Sequence, residues 1–219
     1  MSAIVKAAPA LEPERYELAA PPAYRFEVDR RGFFKFIGAG ILVVCVLKDA
    51  AIAQESGGRI QGEALPAEIG AWMHIGEDGA VTVFTGKVEV GQNIRTSLTQ
   101  AVAEELRIST SQIKMVMGDT QLTPFDRGTF GSRTTPTMNL QLRKAAAAAR
   151  EVLIGLAAAQ WKVDRQHLVA ADGRVADAAT KRSIDYAALA KGQQLSETVA
   201  VDSFLIPSAQ LTVASQSLP

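Results

Sequence analysis

The sequence predicts an α+β fold in which hairpins and short strands pack against two longer helices. Three observations support this prediction: two Asp-Gly turns flanked by β-prone runs, one helix with a regular apolar stripe, and a second helix rich in alanine. The chain shows no internal repeat and no heptad pattern. About 166 of its 219 residues follow residue 53, which is enough for one ordinary domain or two small ones.

The first hairpin is predicted over residues 71–85. Its two β-prone runs are separated by Gly76-Glu77-Asp78-Gly79, and Asp-Gly readily supplies the positive φ that a tight hairpin turn needs. A second hairpin is predicted around Asp172-Gly173. Residues 113–117 are apolar enough for a further strand.

The first long helix is predicted from about Asn93 to Arg107, because apolar residues recur there every fourth position. These residues are Ile94, Leu98, Val102 and Leu106. The second is predicted from Thr135-Pro136, read as an N-cap followed by Pro at the first helical position, to about Trp161. The small side chains at 145–149 predict that this helix is buried. A short helix capped by Ser183 is expected to follow.

The amino-terminal part predicts a twin-arginine export signal and a periplasmic location. Asp29-Arg30-Arg31-Gly32-Phe33-Phe34-Lys35 precedes an apolar run of 12 residues, 36–47, shorter than the roughly 20 that a membrane-spanning helix needs. Ala51-Ile52-Ala53 fits a signal-peptidase site, so residues 1–53 are predicted to be removed. The alternatives are a short amphipathic anchor or a buried amino-terminal helix.

Three further segments complete the predicted domain organisation. Residues 54–70 are rich in Gly and Glu and are predicted to be a linker, residues 71–192 form the α+β domain, and residues 193–219 form an irregular tail.

Composition excludes several classes of function. Of 23 Lys and Arg and 23 Asp and Glu, residues 1–53 hold 7 and 6, which leaves 16 and 17 and no basic excess for nucleic acid. The only cysteine, Cys45, lies in the predicted signal, so no thiolate metal site is expected. His74 and His167 stand alone and are expected to be surface or strand residues. Any metal must therefore be held by its own organic cofactor or by another chain.

Two glycine-rich turns lead into the two long helices, at Gly86–Asn93 and Gly128–Thr135. A helix start carries unpaired N–H groups and a partial positive charge, which together bind phosphate. In the second turn, the side chains at 132–134 add hydrogen-bond donors for an anion. The Gln92 amide can both donate and accept hydrogen bonds, which suits the edge of a heterocycle. Each turn taken alone is also compatible with a simple helix cap or with a nucleotide-phosphate site.

More specific catalytic motifs are not found in the sequence. Gly86-Lys87 lacks the Ser or Thr and the spaced glycine of a P-loop, and 131–134 lacks the flanking glycines of a nucleophile elbow. Glu104 and Glu105 are neighbours on one helix and point in different directions. They are predicted to be solvated charges rather than an acid–base pair.

Read together, residues 85–106, 116–120 and 128–136 resemble the molybdopterin-binding subunit of the xanthine dehydrogenase/aldehyde oxidase family. The exported branch typified by the isoquinoline 1-oxidoreductase beta subunit is the most similar. The resemblance extends from about Trp72 to Trp161 and implies that this region is part of a molybdopterin-binding domain. It departs from the family at Asn93, where glycine is more common.

The resemblance assigns roles to six residues. Gly91 and Gln92 are expected to meet the pterin, and Gly131, Ser132, Arg133 and Thr134 to lie near its phosphate or dinucleotide part. The resemblance also implies molybdopterin as the cofactor, with or without a cytosine dinucleotide, and molybdenum held by the pterin. The implied reaction is oxidative hydroxylation of an aldehyde or N-heterocycle, with electrons leaving through a 2Fe-2S subunit and, in exported members, often a cytochrome c.

The resemblance also implies that sequence is missing. Family chains are several times longer, and their catalytic glutamate lies near the carboxyl terminus, in sequence not found here. No catalytic residue is therefore assigned, and the chain alone is expected not to turn over substrate. The prediction is an amino-terminal part of a molybdenum hydroxylase subunit. The alternative is an exported, non-catalytic binding or scaffold domain.

Overall fold

A computed structural model describes residues 38–46, 69–124, 126, 128–199 and 205–213. It confirms the α+β prediction. The two longer helices are α1 (Ile94–Leu106) and α2 (Leu140–Trp161). They pack against each other and, together, against a five-stranded sheet.

The main sheet has the strand order β4-β3-β2-β1-β8. Its strands are β1 (Gly40–Val46), β2 (Ile69–Gly76), β3 (Val81–Thr85), β4 (Ile113–Met117) and β8 (Gln194–Val199). β2 is antiparallel to both β1 and β3, whereas the β3–β4 and β1–β8 pairs are parallel. The predicted first hairpin is confirmed as β2–β3, with Gly79 at φ 79° and the Asp78 carboxylate accepting the Ala80 N–H at 2.9 Å.

Strand β1 is a difference from the sequence prediction. The segment assigned to the apolar part of an export signal forms a central strand, and the side chains of Ile41, Leu42 and Val43 are fully buried. A continuous run of apolar residues suits a strand covered on both faces as well as it suits a signal. Arg30-Arg31 and the cleavage motif lie outside the described residues, so removal of residues 1–53 stays a prediction.

A small second sheet confirms the second predicted hairpin. It consists of β5 (Leu168–Ala171), β6 (Arg174–Asp177) and β7 (Ser183–Asp185), in that order. Helix α3 (Tyr186–Ala190) follows, and its cap is Asp185, whose carboxylate accepts the Ala188 N–H at 2.7 Å. The predicted cap, Ser183, lies in β7 instead.

The core confirms the apolar patterns of both long helices. All four residues of the α1 stripe are buried, as are Ala145 to Ala149 of α2. The start of α2 differs in detail, because a π-helical turn, Thr135–Asn139, precedes it and Pro136 lies at the beginning of that turn. The residue before the turn is Thr134 rather than Thr135, and it makes no side-chain cap hydrogen bond.

The predicted irregular tail is ordered where the structure describes it. Residues 194–199 form β8, which pairs in parallel with β1, and residues 205–213 lie against α1. Glu104 accepts the N–H groups of Thr212 and Val213 at 2.9 and 2.6 Å, and Glu105 accepts that of Ile206 at 3.1 Å.

These contacts overturn the prediction that Glu104 and Glu105 are solvated, since their residues are only 1% and 0% exposed. The two carboxylates do point in different directions. Each, however, meets buried donors from segments far away in sequence, which helix spacing alone does not reveal.

The two histidines have different environments. His74 lies on β2 and is buried, which lowers the pKa of its imidazole, whereas His167 is exposed. Within the described ranges, no three His, Cys, Asp or Glu residues are grouped to hold a metal ion. In the same part of the chain, no helix has both the length and the apolar character needed to cross a membrane.

Candidate functional site

The two predicted loops begin at the ends of neighbouring parallel strands. β3 ends at Thr85 and β4 at Met117, and these two residues are paired in register. The Gly118 N–H donates to the Thr85 carbonyl at 3.1 Å, so both chains leave the sheet at one place. Loops at the carboxyl ends of parallel strands commonly form ligand sites.

An ion pair joins the two loops. The Lys87 ammonium lies 2.7 Å from an Asp126 carboxylate oxygen and donates to the Gly128 carbonyl, also at 2.7 Å. Both side chains are only 11% exposed, and such partly buried, charge-assisted bonds are stronger than exposed ones. The Val88 N–H donates to the Thr129 hydroxyl at 2.8 Å. The sequence predicted two separate loops, and the structure shows one connected site, which we call the loop junction (86–88 with 126, 128 and 129).

Glycine is required where the loops touch. A Cβ added at Gly86 would lie 2.5 Å from the Pro124 carbonyl oxygen and 2.5 Å from the Asp126 Cβ. At Gly118, where φ is +62°, it would lie 2.9 Å from a Val88 methyl carbon. The glycines predicted that the backbone is closely approached at these turns. In the structure, the group that approaches is the other loop.

The carboxylate of Glu89 occupies the start of α1. One oxygen accepts the N–H groups of Gly91 and Asn93 at 2.7 and 3.2 Å, and the other accepts that of Arg95 at 3.0 Å. These hydrogen bonds, that of Arg95 foremost, lower the pKa of Glu89. In the sequence, these N–H groups were compatible with a phosphate site or with a simple helix cap. The structure favours the cap, because the Glu89 carboxylate already binds them.

Gly91 and Gln92 both lie on the exposed side of this turn. Gly91 has φ +96° and open space around an added Cβ, so its backbone is accessible. The Gln92 side chain folds back, accepting the Val90 N–H at 2.7 Å and donating to the Val88 carbonyl at 3.1 Å. Its amide is therefore held within the turn.

The second loop exposes three of its four predicted residues. Gly131 and Ser132 both have positive φ, 63° and 55°, and form a tight turn that is exposed together with Arg133. The carbonyl of Arg133 accepts the N–H and the hydroxyl of Thr137 at 3.0 and 2.8 Å, which fixes this loop to the start of the helix. Thr134 differs from its neighbours because it is buried.

The loops also expose apolar side chains that sequence reasoning missed. Val88, Val90 and Phe130 are 42, 73 and 65% exposed, and they are three of the five large apolar side chains exposed among the described residues. All three lie on the two candidate loops. The signal in the sequence was their position inside otherwise polar, glycine-rich turns.

Two surface depressions lie away from these loops. One, of about 530 Å³, is lined by α2 and the start of β5, and the other, of about 280 Å³, lies beside the β2–β3 turn. Neither includes a residue of the loop junction.

Comparison with known proteins identifies the same family as the sequence resemblance. The sequence profile of the family described as molybdopterin cofactor-binding domain matches residues 23–214. A nicotinate dehydrogenase subunit of Pseudomonas putida is 35% identical over 152 residues, which cover 69% of this chain and 13% of that protein. The beta subunit of isoquinoline 1-oxidoreductase from Brevundimonas diminuta is 28% identical over 180 residues, 78% of this chain and 23% of that protein.

Among solved structures, the reconstituted CO dehydrogenase from Oligotropha carboxidovorans matches with a TM-score of 0.50 and 28% identity. The match covers 54% of this chain and 15% of that one. The chain therefore spans less than a quarter of the length of each of these relatives.

Proposed function

Because this chain belongs to the molybdopterin cofactor-binding domain family, we propose that it supplies part of the cofactor site of a molybdenum hydroxylase. The observation that carries the proposal is the loop junction. It brings both loops of the family resemblance to one edge of the sheet, through Lys87, Asp126 and the Val88–Thr129 bond.

The residues present fit such a cofactor. The accessible backbone at Gly91 and the exposed apolar groups of Val90 and Phe130 suit a flat heterocycle. The exposed hydroxyl of Ser132 and the guanidinium of Arg133 suit a phosphate. When bound, the cofactor would supply the redox chemistry that hydroxylates an aldehyde or an N-heterocycle. This chain's residues would bind and orient it.

The proposal includes partners. The remainder of the molybdenum subunit, a 2Fe-2S subunit and a cytochrome c would complete the enzyme, since the chain spans 13% of the first relative and no residue in it is assigned to catalysis. The alternative is a binding or scaffold domain without catalysis. A stable, monomeric, cofactor-free chain with no neighbouring gene for the other parts would favour that alternative.

The test is cofactor content after co-expression. We expect molybdenum and pterin, near one of each per chain, when the chain is produced in a molybdopterin-synthesising bacterium together with the genes for these partners. Elemental analysis and pterin fluorescence after oxidation measure the two. Absence of molybdenum from that assembly would contradict the proposal.

We further propose export by the twin-arginine translocase to the periplasm, on the basis of Arg30, Arg31 and the apolar residues that follow. Replacing both arginines by lysine is expected to abolish periplasmic yield, because that translocase recognises the guanidinium pair. Immunoblots of periplasm and cytoplasm measure it, and the amino-terminal sequence of the exported chain tests cleavage after Ala53. Unchanged periplasmic yield would count against the signal, and an exported chain that retains 40–46 would count against cleavage.

A further inference from the structure

Glu89 lies in the first loop, directly before the Gly91–Gln92 turn and the start of α1. Its carboxylate accepts three backbone N–H groups, from Gly91, Asn93 and Arg95. The Arg95 guanidinium does not share this carboxylate, since it donates to the Met115 carbonyl of β4 instead. Among the described contacts, the Glu89 carboxylate therefore pairs with backbone N–H groups at the start of α1 and not with the Arg95 side chain.

The start of a helix attracts negative charge, and the Glu89 carboxylate already supplies negative charge at the start of α1. Its negative charge offsets the partial positive charge of the α1 amino terminus. A phosphate brought to the same N–H groups would have to displace the carboxylate or approach it closely, and like charges at such distances repel. The start of α1 is thus closed to an anionic ligand.

The same carboxylate determines the shape of the exposed turn. Asn93 has a left-handed backbone, φ 58°, which few non-glycine residues adopt. Gly91 has φ +96°, which glycine adopts readily. The Glu89 bonds to these two residues enclose Gln92, whose amide is held by Val88 and Val90. Loss of the Glu89 carboxylate therefore removes the hydrogen bonds that fix the N–H groups of Gly91 and Asn93 on either side of Gln92.

We propose that Glu89 is a positioning residue that closes the α1 amino terminus to phosphate and presents the Gly91–Gln92 turn to an uncharged part of the ligand. The ligand's orientation follows, because its anionic end is left to the 131–133 turn. This inference rests on the proposed function only for the identity of the ligand. The closure itself is a property of this chain without cofactor.

The closure is tested with inorganic phosphate as the probe. In the unmodified chain, we expect the amide NMR resonances of Gly91, Asn93 and Arg95 to be insensitive to added phosphate. In Glu89→Ala, the same resonances are expected to shift and to saturate with phosphate. Glu77→Ala is the matched control, because the Glu77 carboxylate also accepts a backbone N–H, from Gly192 at 2.7 Å, away from the loops. Equal phosphate responses in the unmodified chain and in Glu89→Ala would overturn the proposal.

The orientation is tested on the co-expressed assembly. Pterin content is expected to fall at least about tenfold in Glu89→Ala, which corresponds to roughly 1.4 kcal/mol of binding. It should recover partly in Glu89→Asp and remain unchanged in Glu77→Ala. Equal pterin in the unmodified protein and Glu89→Ala would overturn the positioning role. If the unmodified assembly holds no pterin but phosphate binding still appears only on removal of Glu89, the proposed function fails and the closure stands.

Discussion

Glu105→Ala is expected to lower the free energy of unfolding by about 3–5 kcal/mol, the cost of removing one partner from a buried ion pair. The Glu105 residue is 0% exposed, and its carboxylate accepts from Arg143 at 2.6 and 2.9 Å and from Arg150 at 2.9 Å. It also accepts the Ile206 N–H at 3.1 Å. The variant leaves two guanidinium groups near the core without this carboxylate and leaves the Ile206 N–H without its acceptor, while the Glu104 bonds to Thr212 and Val213 remain. Urea unfolding measures the loss.

The matched control is Glu151→Ala. Glu151 also pairs with arginine, but its main partner, Arg165, has a side chain that is 53% exposed. Exposed ion pairs contribute only about 0.2–1 kcal/mol. Glu105→Gln keeps the side-chain shape and is expected to lose an intermediate amount. A Glu105→Ala protein no less stable than Glu151→Ala would show that the buried contacts of Glu105 stabilise the fold no more than an exposed ion pair does.

Lys87→Met is expected to separate the two loops and to reduce pterin and molybdenum content about tenfold to a hundredfold. Methionine retains most of the volume of lysine but not its ammonium, so Asp126 loses its cation and the Gly128 carbonyl loses its donor. Hydrogen bonds to charged groups contribute about 1.5–3 kcal/mol, which sets this range of affinity. Cofactor content of the co-expressed assembly is the measurement.

Lys114→Met is the control for that substitution, because Lys114 is exposed on the neighbouring strand β4. It removes the same charge without touching the junction, so cofactor content should be unchanged. Equal content in the two variants would mean that the ion pair between the loops is not needed to form the site.

Local signals in the sequence predicted much of this fold. The Asp-Gly turns lie where the hairpins turn, because a positive φ is a requirement of the residues in the turn themselves. The apolar stripe of α1 is buried, and the alanines of α2 face the core, because helical periodicity and side-chain volume are local properties. The order of the two glycine-rich turns was also enough to identify the family.

Long-range partners could not be predicted in the same way. The apolar run at 40–46 fits an export signal or a buried strand equally well, and its pairing with β2 and β8 depends on residues distant in sequence. Glu104 and Glu105 appear solvated when α1 is considered alone, yet arginines and backbone N–H groups more than 35 residues away bury them. Lys87 and Asp126, 39 residues apart, belong to no motif that pairs them.

The candidate site shows the same division. The sequence singled out Gly91, Gln92 and 131–134, but it left open whether the α1 amino terminus is a simple cap or a phosphate site. Glu89 lies only two residues before Gly91, and its capping role depends on the turn bending back toward Arg95. Such geometry is visible only when the backbone is folded.

The most direct test of the cofactor proposal is a crystal structure of the molybdenum-loaded assembly that contains this chain. We predict a pterin within hydrogen-bond distance of the Gly91–Gln92 turn, a phosphate at the 131–133 turn, and the Lys87–Asp126 ion pair intact between them. A cofactor bound away from both turns, with the loop junction unchanged, would contradict the account.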